Sequence, residues 1–197
     1  MNILLVLAHP DPRSFNHALA LAARDTLRSL GHDVVFHDLY AEKFDPVLLA
    51  REIPRASPLT PDIARHCREL AAADGLVLVH PNWWGKPPAI MAGWVDRVFR
   101  VDVAYRFLEG DSGEGVSEGL LKCKNALVLN TANTAAAREQ AVFGDPLQRI
   151  WCDCILKFCG IGNVHRRMFE TMVTSTREQR QAWLEETRAL AAEIFPV

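Results

Sequence analysis

The sequence predicts an α/β fold in which a doubly wound, five-stranded parallel sheet carries helices on both faces. The chain has 197 residues, 49% of them hydrophobic, which is enough apolar material for one sizeable core. Short, continuous apolar runs alternate along the chain with segments whose apolar residues recur at helical spacing. Such runs are typical of strands that are buried on both faces of a parallel sheet. We expect a single domain over residues 1–197.

The elements follow in order from these patterns and from the residues that flank them. Gly31 and Gly160 end two of the helices, Pro61 begins another, and Ser175 or Thr176, with Glu178 nearby, caps the last. Five strands joined by right-handed crossovers favour the order 2-1-3-4-5 of flavodoxin-like sheets. A long, proline-punctuated connection that runs over the surface is expected over 40–60. The predicted strands are 3–8, 34–36, 75–80, 125–130 and a less regular one within 163–169, and the predicted helices are 14–30, 61–73, 88–99, 145–159 and 176–194.

Composition and charge exclude several classes of function. The formal net charge of −2 provides no basic field for nucleic acid or an anionic membrane. No apolar run is long enough to span a bilayer, and residues 1–10 lack the basic leader and cleavage site of a signal peptide. The five cysteines follow no disulfide or metal-ligand spacing. We therefore expect a cytoplasmic protein with reduced thiols, no metal site and no membrane insertion.

Ligands of doubly wound sheets bind beyond the carboxyl ends of the strands, where the strand order reverses. This rule selects the loops after residues 8, 80 and 130. The first loop offers backbone N–H groups at a helix start together with a histidine, an arginine and small polar side chains, a combination that suits a phosphate. The second contains two adjacent tryptophans, which stack on flat rings. From the residues alone, each feature has an ordinary alternative: Ser14 as a helix cap, Arg13 as a solvated charge and the tryptophans as packing.

Ordered blocks over most of the chain resemble the flavodoxin-like NAD(P)H dehydrogenase (quinone) family, and in particular its smaller bacterial FMN-type members related to DT-diaphorase. The blocks are 5–10 with 14–16, 38–40 with 44–46, 81–90 with 93–99, 104–105 and 158–160. The resemblance implies a flavin. FMN is preferred over FAD because the larger family members bury an adenine partly with additional C-terminal and loop segments, which have no counterpart in this sequence. The residues that it assigns to the flavin, together with Asn133, which we add as a hydrogen-bonding candidate, are His9, Arg13, Ser14, Phe15, Asn16, Pro81, Asn82, Trp83, Trp84, Thr131 and Asn133.

The resemblance also implies a homodimer in which Tyr105 and Phe107 reach the partner's site, with ordinary loop packing as the alternative. Two departures stand out. The family's Thr-Thr-Gly-Gly segment is replaced here by 130–134, where Thr131 is kept and Asn133 is expected to replace a glycine in a left-handed backbone. The family's Tyr and His have no counterparts, since Phe143 stands at the His position. Arg138 is a candidate to offset charge on a reduced flavin, or else a solvated loop residue.

The implied chemistry is the transfer of a hydride from NAD(P)H to the flavin and then of two electrons to a quinone or similar small acceptor, in ping-pong order. No side-chain nucleophile is needed, and we expect no Ser/His/Asp or Cys/His arrangement and no certain catalytic side chain. Two alternatives remain open. One is a regulatory or electron-carrier flavoprotein that partners an ion-efflux transporter. The other is a flavodoxin-like sheet that serves a non-flavin ligand.

Overall fold

The computed structural model describes residues 1–108 and 117–197, and it confirms the predicted fold class. Its main sheet has five strands, all parallel, in the order β2-β1-β3-β6-β7. Numbered along the chain, the strands of this sheet therefore have the predicted order 2-1-3-4-5. They are β1 (Asn2–Leu7), β2 (Asp33–Asp38), β3 (Gly75–Pro81), β6 (Asn125–Thr131) and β7 (Asn163–Phe169).

Helices cover both faces of the sheet because successive strand residues point to opposite sides. On β1, Leu4 and Val6 belong to one buried cluster, whereas Ile3 and Leu5 belong to the other. The first cluster lies under α2 (Pro61–Ala72), α3 (Ala89–Val98) and the helical segment 146–158, and the second lies under α1 (Phe15–Ser29) and α7 (Arg177–Ile194). Continuous apolar strands thus give a sheet with a core on each side.

The helix ends follow the sequence signals closely. Ser14 caps α1, and Gly31 follows this helix with φ of 83°. Thr176 caps α7 in a capping box whose second member is Gln179, not the neighbouring Glu178. The third residue of the helix closes the box because only its side chain reaches back to the cap's backbone N–H.

Two features of the structure were not predicted. A short antiparallel hairpin joins β4 (Tyr105–Phe107) to β5 (Ser117–Gly119). The segment 136–158 contains short helical turns, α4 (Ala136–Arg138), α5 (Pro146–Gln148) and α6 (Leu156–Phe158), and two π-helical stretches, Glu139–Phe143 and Arg149–Ile155. The helix expected over 145–159 is therefore present but is not a regular α-helix.

The connection after β2 is anchored to α3 by a buried ion pair. Arg97 donates from Nε and Nη2 to the two carboxylate oxygens of Glu52, at 2.9 and 2.6 Å, and both side chains are at least 96% buried. Among the described residues, the carboxylates near Arg97 are those of Glu52 and Asp45, and not that of its neighbour Asp96. Nearby, a Cβ on Gly93 would lie 2.1 Å from the carbonyl oxygen of Pro46, so this contact requires glycine.

All five cysteines lie among the described residues, and none forms a disulfide. Burial raises the pKa of Cys123 and of Cys159 to about 12, so these thiols stay protonated. Among residues 1–108 and 117–197, no helix is long and apolar enough to cross a membrane.

Candidate functional site

The carboxyl ends of β1, β3 and β6 meet at one edge of the sheet, where two adjoining pockets open. Their volumes are about 230 and 370 Å³, and both are lined by Asn82, Ala132 and Asn133. Together they fall within the size range of small-ligand sites. The smaller pocket lies at the start of α1, and the larger lies between the loops that follow β3 and β6.

The smaller pocket is built around the N-terminus of α1. His9, Ser14, Phe15 and Asn16 line it from the loop after β1. Among the residues that the structure describes, the backbone N–H groups of Phe15 and Asn16 have no acceptor. Free N–H groups at a helix start, together with the positive end of the helix dipole, form an anion site. Burial lowers the pKa of His9, whose Nδ1 accepts a hydrogen bond from the Asp11 backbone N–H.

Asn16 connects this helix start to the end of β6. Its side-chain Nδ2 lies 2.9 Å from the hydroxyl oxygen of Thr131, while its Oδ1 is buried without a partner among the described residues. An unpaired buried polar atom costs about 1–3 kcal/mol. Asn16 lines the smaller pocket, and its amide oxygen is left without a partner there among the described residues.

Ser14 belongs to a hydrogen-bonded chain that sequence reasoning missed. Its Oγ lies 2.9 Å from Nδ1 of His17, and Nε2 of His17 lies 2.9 Å from a carboxylate oxygen of Asp38 at the end of β2. The expectation that the chain has no Ser/His/Asp arrangement is therefore wrong. His17 and Asp38 are 21 residues apart, and only the pairing of β1 with β2, which sets Leu7 opposite Asp38, brings them together.

The larger pocket is flanked by aromatic side chains. Trp84 is 97% exposed and adopts a left-handed backbone with φ of 59°, while Phe143 is 51% exposed. The turn is closed by reciprocal backbone hydrogen bonds between Trp83 and Lys86. A tryptophan held in a strained backbone and facing solvent is not core packing, and such strain is common at ligand sites. Trp83, whose ring lies 5.9 Å from that of His9, lines the smaller pocket.

A buried carboxyl group also lines the larger pocket. Glu139 is 3% exposed and accepts a hydrogen bond of 3.0 Å from Nδ2 of Asn82, whose Oδ1 in turn accepts from the Gly85 backbone N–H. Sequence reasoning missed Glu139 because it lies in a π-helical turn 57 residues from Asn82. No local signal distinguishes it from a surface glutamate.

The loop after β6 departs from expectation in its backbone. Neither Ala132 nor Asn133 has a positive φ, so the left-handed conformation expected for Asn133 is wrong. Its Oδ1 instead accepts a hydrogen bond from the Val173 backbone N–H at 3.1 Å. The loop therefore tolerates Ala and Asn because its backbone does not need glycine.

Four of the predicted site residues do not line either pocket. The exposed side chain of Arg13 pairs with Asp11. Arg138 lies over the ring of Phe143, 5.7 Å from its centroid. The remaining two, Tyr105 and Phe107, lie on β4 with their rings in edge contact. The ten other residues assigned to the flavin and Phe143 all line one pocket or both.

A polar network supports the site from beneath. His80, fully buried at the end of β3, accepts a hydrogen bond from the indole N–H of Trp151 at 2.9 Å, and burial lowers its pKa to about 4. Asn130 contacts the same ring. Arg166 pairs with Asp145, which precedes the pocket residue Pro146. A neutral His80 accepting from Trp151 keeps this layer rigid without a buried charge.

A second polar cluster lies away from the pockets, beside a separate cavity of about 410 Å³. Potential ligand atoms of His37, Glu42 and His66 lie within 4.8 Å of one another. However, the indole N–H of Trp94 donates to Nδ1 of His66, so its Nε2 carries the proton. His37 bridges Glu42 and Glu69 at 2.8 Å on each side, which requires a proton on each ring nitrogen. Protons, not a metal ion, therefore fit this cluster.

The chemistry of the two pockets fits a flavin. The smaller pocket offers free helix N–H groups to a phosphate, and the unpaired Asn16 Oδ1 can accept a hydrogen bond from a hydroxyl of a polar chain. The larger pocket offers Trp84 and Phe143 to a flat ring system and Asn82 to its polar edge. The two pockets share Asn82, Ala132 and Asn133 as lining residues, so a single elongated ligand can reach from one to the other.

Comparison with known proteins finds relatives along nearly the whole chain. A family model described as flavodoxin-like fold matches residues 1–193. The chain is 32% identical over 189 residues to an uncharacterized NAD(P)H oxidoreductase of Haemophilus influenzae, covering 94% of this chain and 91% of that protein. It is 32% identical to NAD(P)H dehydrogenase [quinone] 1 of Rattus norvegicus, covering 80% of this chain and 64% of that protein. The solved NAD(P)H:quinone oxidoreductase from Methanothermobacter marburgensis superposes with a TM-score of 0.81 at 27% identity, covering 97% and 95%.

Fold and relatives together define an oxidoreductase built on a flavodoxin-like sheet. More particularly, the chain belongs to the flavodoxin-like NAD(P)H dehydrogenase (quinone) family, as its sequence blocks predicted.

Proposed function

We propose that this protein binds FMN across the two pockets, takes a hydride from NAD(P)H and reduces a quinone or similar small acceptor. The single observation that supports this most strongly is the anion site at the start of α1, which lies beside an aromatic pocket at the strand-order reversal. A bound flavin supplies the electron transfer, and the protein supplies binding and orientation. NAD(P)H and the quinone occupy the same open face of the flavin one after the other, which gives a ping-pong mechanism.

The smaller pocket supports FMN in preference to FAD. Its volume of about 230 Å³ and its free N–H groups at Phe15 and Asn16 suit a terminal phosphate that carries two negative charges. Ser14 and His9 add side-chain donors at the same wall. Arg13 pairs with Asp11 on the exposed side of the loop, so its guanidinium reaches the phosphate only after it releases that carboxylate.

The ring system is assigned to the larger pocket. Backbone and side-chain groups of 81–84 border it on one side, and the loop containing Thr131 and Asn133 borders it on the other. Phe143 and Trp84 leave one face open to the nicotinamide and the acceptor. Arg138, above Phe143, places a positive charge at the rim.

A homodimer completes the site in this proposal. Tyr105, Phe107 and Phe158 form a ring cluster at the hairpin, in which the Tyr105 ring lies 5.0 Å from that of Phe158. Phe107 is 49% exposed, Leu108 47% and Phe158 40%, which leaves an apolar patch uncovered. A two-fold interface at this patch brings Tyr105 and Phe107 to the partner's open pocket. Light scattering is expected to show a dimer at micromolar concentration, and a fully active monomer would contradict the arrangement.

The phosphate assignment is tested with the double variant Arg13→Ala/Ser14→Ala. Loss of charge-assisted hydrogen bonds weakens FMN binding by about 2–4 kcal/mol. Ser29→Ala, at the opposite end of α1, removes a hydroxyl that bonds only to the Thr26 carbonyl and serves as the matched control. Flavin retention equal to that of the unmodified protein after extensive dialysis would refute the assignment.

The role of Phe143 is tested by stopped-flow measurement of the two half-reactions. Because Phe143 does not titrate, the acceptor step shows no ionisation from a pocket histidine at this position. Phe143→His adds such a pH dependence without preventing reduction by NAD(P)H. If Phe143→His blocks flavin reduction while the flavin stays bound, Phe143 belongs to the nicotinamide site instead.

A further inference from the structure

The hydrogen-bonded chain Ser14–His17–Asp38 sets the direction in which the Ser14 hydroxyl points its proton. Asp38 is fixed as an acceptor, because its Oδ1 accepts from the backbone N–H groups of Tyr40 and Ala41 at 3.1 Å each and its Oδ2 faces Nε2 of His17 at 2.9 Å. The side chains of His17 and Asp38 are only 12% and 18% exposed. Nε2 of His17 therefore carries a proton in every state of the chain.

The Ser14 hydroxyl has one proton to donate and two lone pairs to accept with. One lone pair accepts from the His17 backbone N–H as the helix cap. When the His17 ring is neutral, Nδ1 lacks a proton and the hydroxyl proton points at it across 2.9 Å. A lone pair of Ser14 Oγ then faces the pocket and repels an anion. When Nδ1 is protonated it donates to Oγ, both lone pairs are used, and the hydroxyl proton is free to point into the pocket.

The groups around the His17 ring favour Nδ1 of His17 as the atom that binds the additional proton. Asp38 faces it from the end of β2, and His9 faces it from the loop after β1, with ring centroids 6.3 Å apart. Burial lowers the pKa of His9, so His9 remains neutral as its neighbour gains charge. The remaining charged groups of that loop, Asp11 and Arg13, pair with each other on its exposed side.

We propose that binding of the FMN phosphate is coupled to uptake of a proton by His17, which turns the Ser14 hydroxyl proton away from Nδ1 and toward the phosphate. This inference rests on the proposed function, since it requires a phosphate-bearing flavin at the start of α1. The proton comes from solvent and is bound at Nδ1, and the hydroxyl proton turns toward the phosphate without leaving Oγ. His17 is thus a positioning residue that acts through Ser14. The resulting imidazolium also places a positive charge behind the phosphate.

The test is calorimetric titration of the flavin-free protein with FMN and with riboflavin, at pH 7.5, in buffers of different ionisation enthalpy. FMN binding is expected to take up roughly 0.5 to 1 proton. FMN affinity is expected to rise about tenfold from pH 8.5 to 7.0, and riboflavin, which has no phosphate, takes up none. His17→Gln keeps a polar side chain that cannot titrate, so FMN binding to it involves no proton uptake.

The comparison of FMN with riboflavin on the unmodified protein needs no variant and remains decisive if His17→Gln is unstable. Three outcomes would each overturn the inference and leave the proposed function standing. They are equal proton uptake with FMN and riboflavin, proton uptake that persists in His17→Gln, and FMN binding without proton uptake. If neither FMN nor riboflavin binds, the proposed function is wrong and this inference falls with it.

Discussion

Asn16→Ala should weaken flavin binding far more than it weakens the fold. In the flavin-free protein the substitution removes one hydrogen bond to Thr131, worth about 1 kcal/mol, and one buried unpaired oxygen, which costs about 1–3 kcal/mol. The two changes oppose each other, so we expect the free energy of unfolding to change by no more than about 2 kcal/mol. In the proposed complex the bound flavin pairs the amide oxygen of Asn16, so we expect the loss of this side chain to weaken binding by about 1.5–3 kcal/mol, or tenfold to a hundredfold in Kd.

Urea unfolding of the flavin-free protein and fluorescence titration with FMN measure the two quantities separately. Asn163→Ala is the matched control, because the Asn163 amide donates to Asn125 in an exposed pair at the opposite end of the sheet. A loss of more than about 2 kcal/mol in stability with an unchanged Kd would show that Asn16 serves the core and not a ligand.

Three further predictions concern stability. Burial alone would lower the pKa of His37, but hydrogen bonds to Glu42 and Glu69 raise it. The contribution of His37 to stability is therefore complete below pH 6.5 and is lost as pH rises through the raised pKa. Tm should therefore fall from pH 6 to 9, and fall less in His37→Gln. Burial alone would raise the pKa of Glu42, but hydrogen bonds from His37 and His66 outweigh it and lower the pKa to about 2. The contribution of Glu42 to stability is therefore complete above pH 4.5 and is lost toward pH 2. An acid-unfolding profile that is unchanged in Glu42→Gln would contradict this. Glu52→Gln leaves the buried Arg97 charge with only the exposed Asp45 carboxylate, 3.7 Å from Nη1, and should cost about 3–5 kcal/mol in urea unfolding. A cost below about 1 kcal/mol would show that the Arg97–Glu52 pair is solvated.

The sheet was predictable because burial on both faces leaves a strong local signal. The predicted strands 75–80 and 125–130 each fall one residue short of the observed β3 and β6, since the continuous apolar runs themselves define the strands. The hairpin was not predictable, because β4 and β5 have three residues each and are stabilised by pairing with each other and not by an apolar pattern.

The position of the site was predictable from topology, but its polar partners were not. The loops at the ends of β1, β3 and β6 follow from the strand order alone. The contacts of His17 with Asp38 and of Asn82 with Glu139 join residues 21 and 57 positions apart. Such pairs depend on the register of neighbouring strands and on irregular turns, neither of which the amino-acid pattern specifies.

The measurement that tests the central claim most directly is the absorption spectrum of the FMN-loaded protein before and after anaerobic addition of NAD(P)H. We predict that the dialysed protein retains FMN with an oxidised-flavin band near ~450 nm. This band should bleach when NADH or NADPH is added and return when a quinone is added. A protein that retains no flavin, or whose bound flavin does not bleach with either nucleotide, would contradict the account.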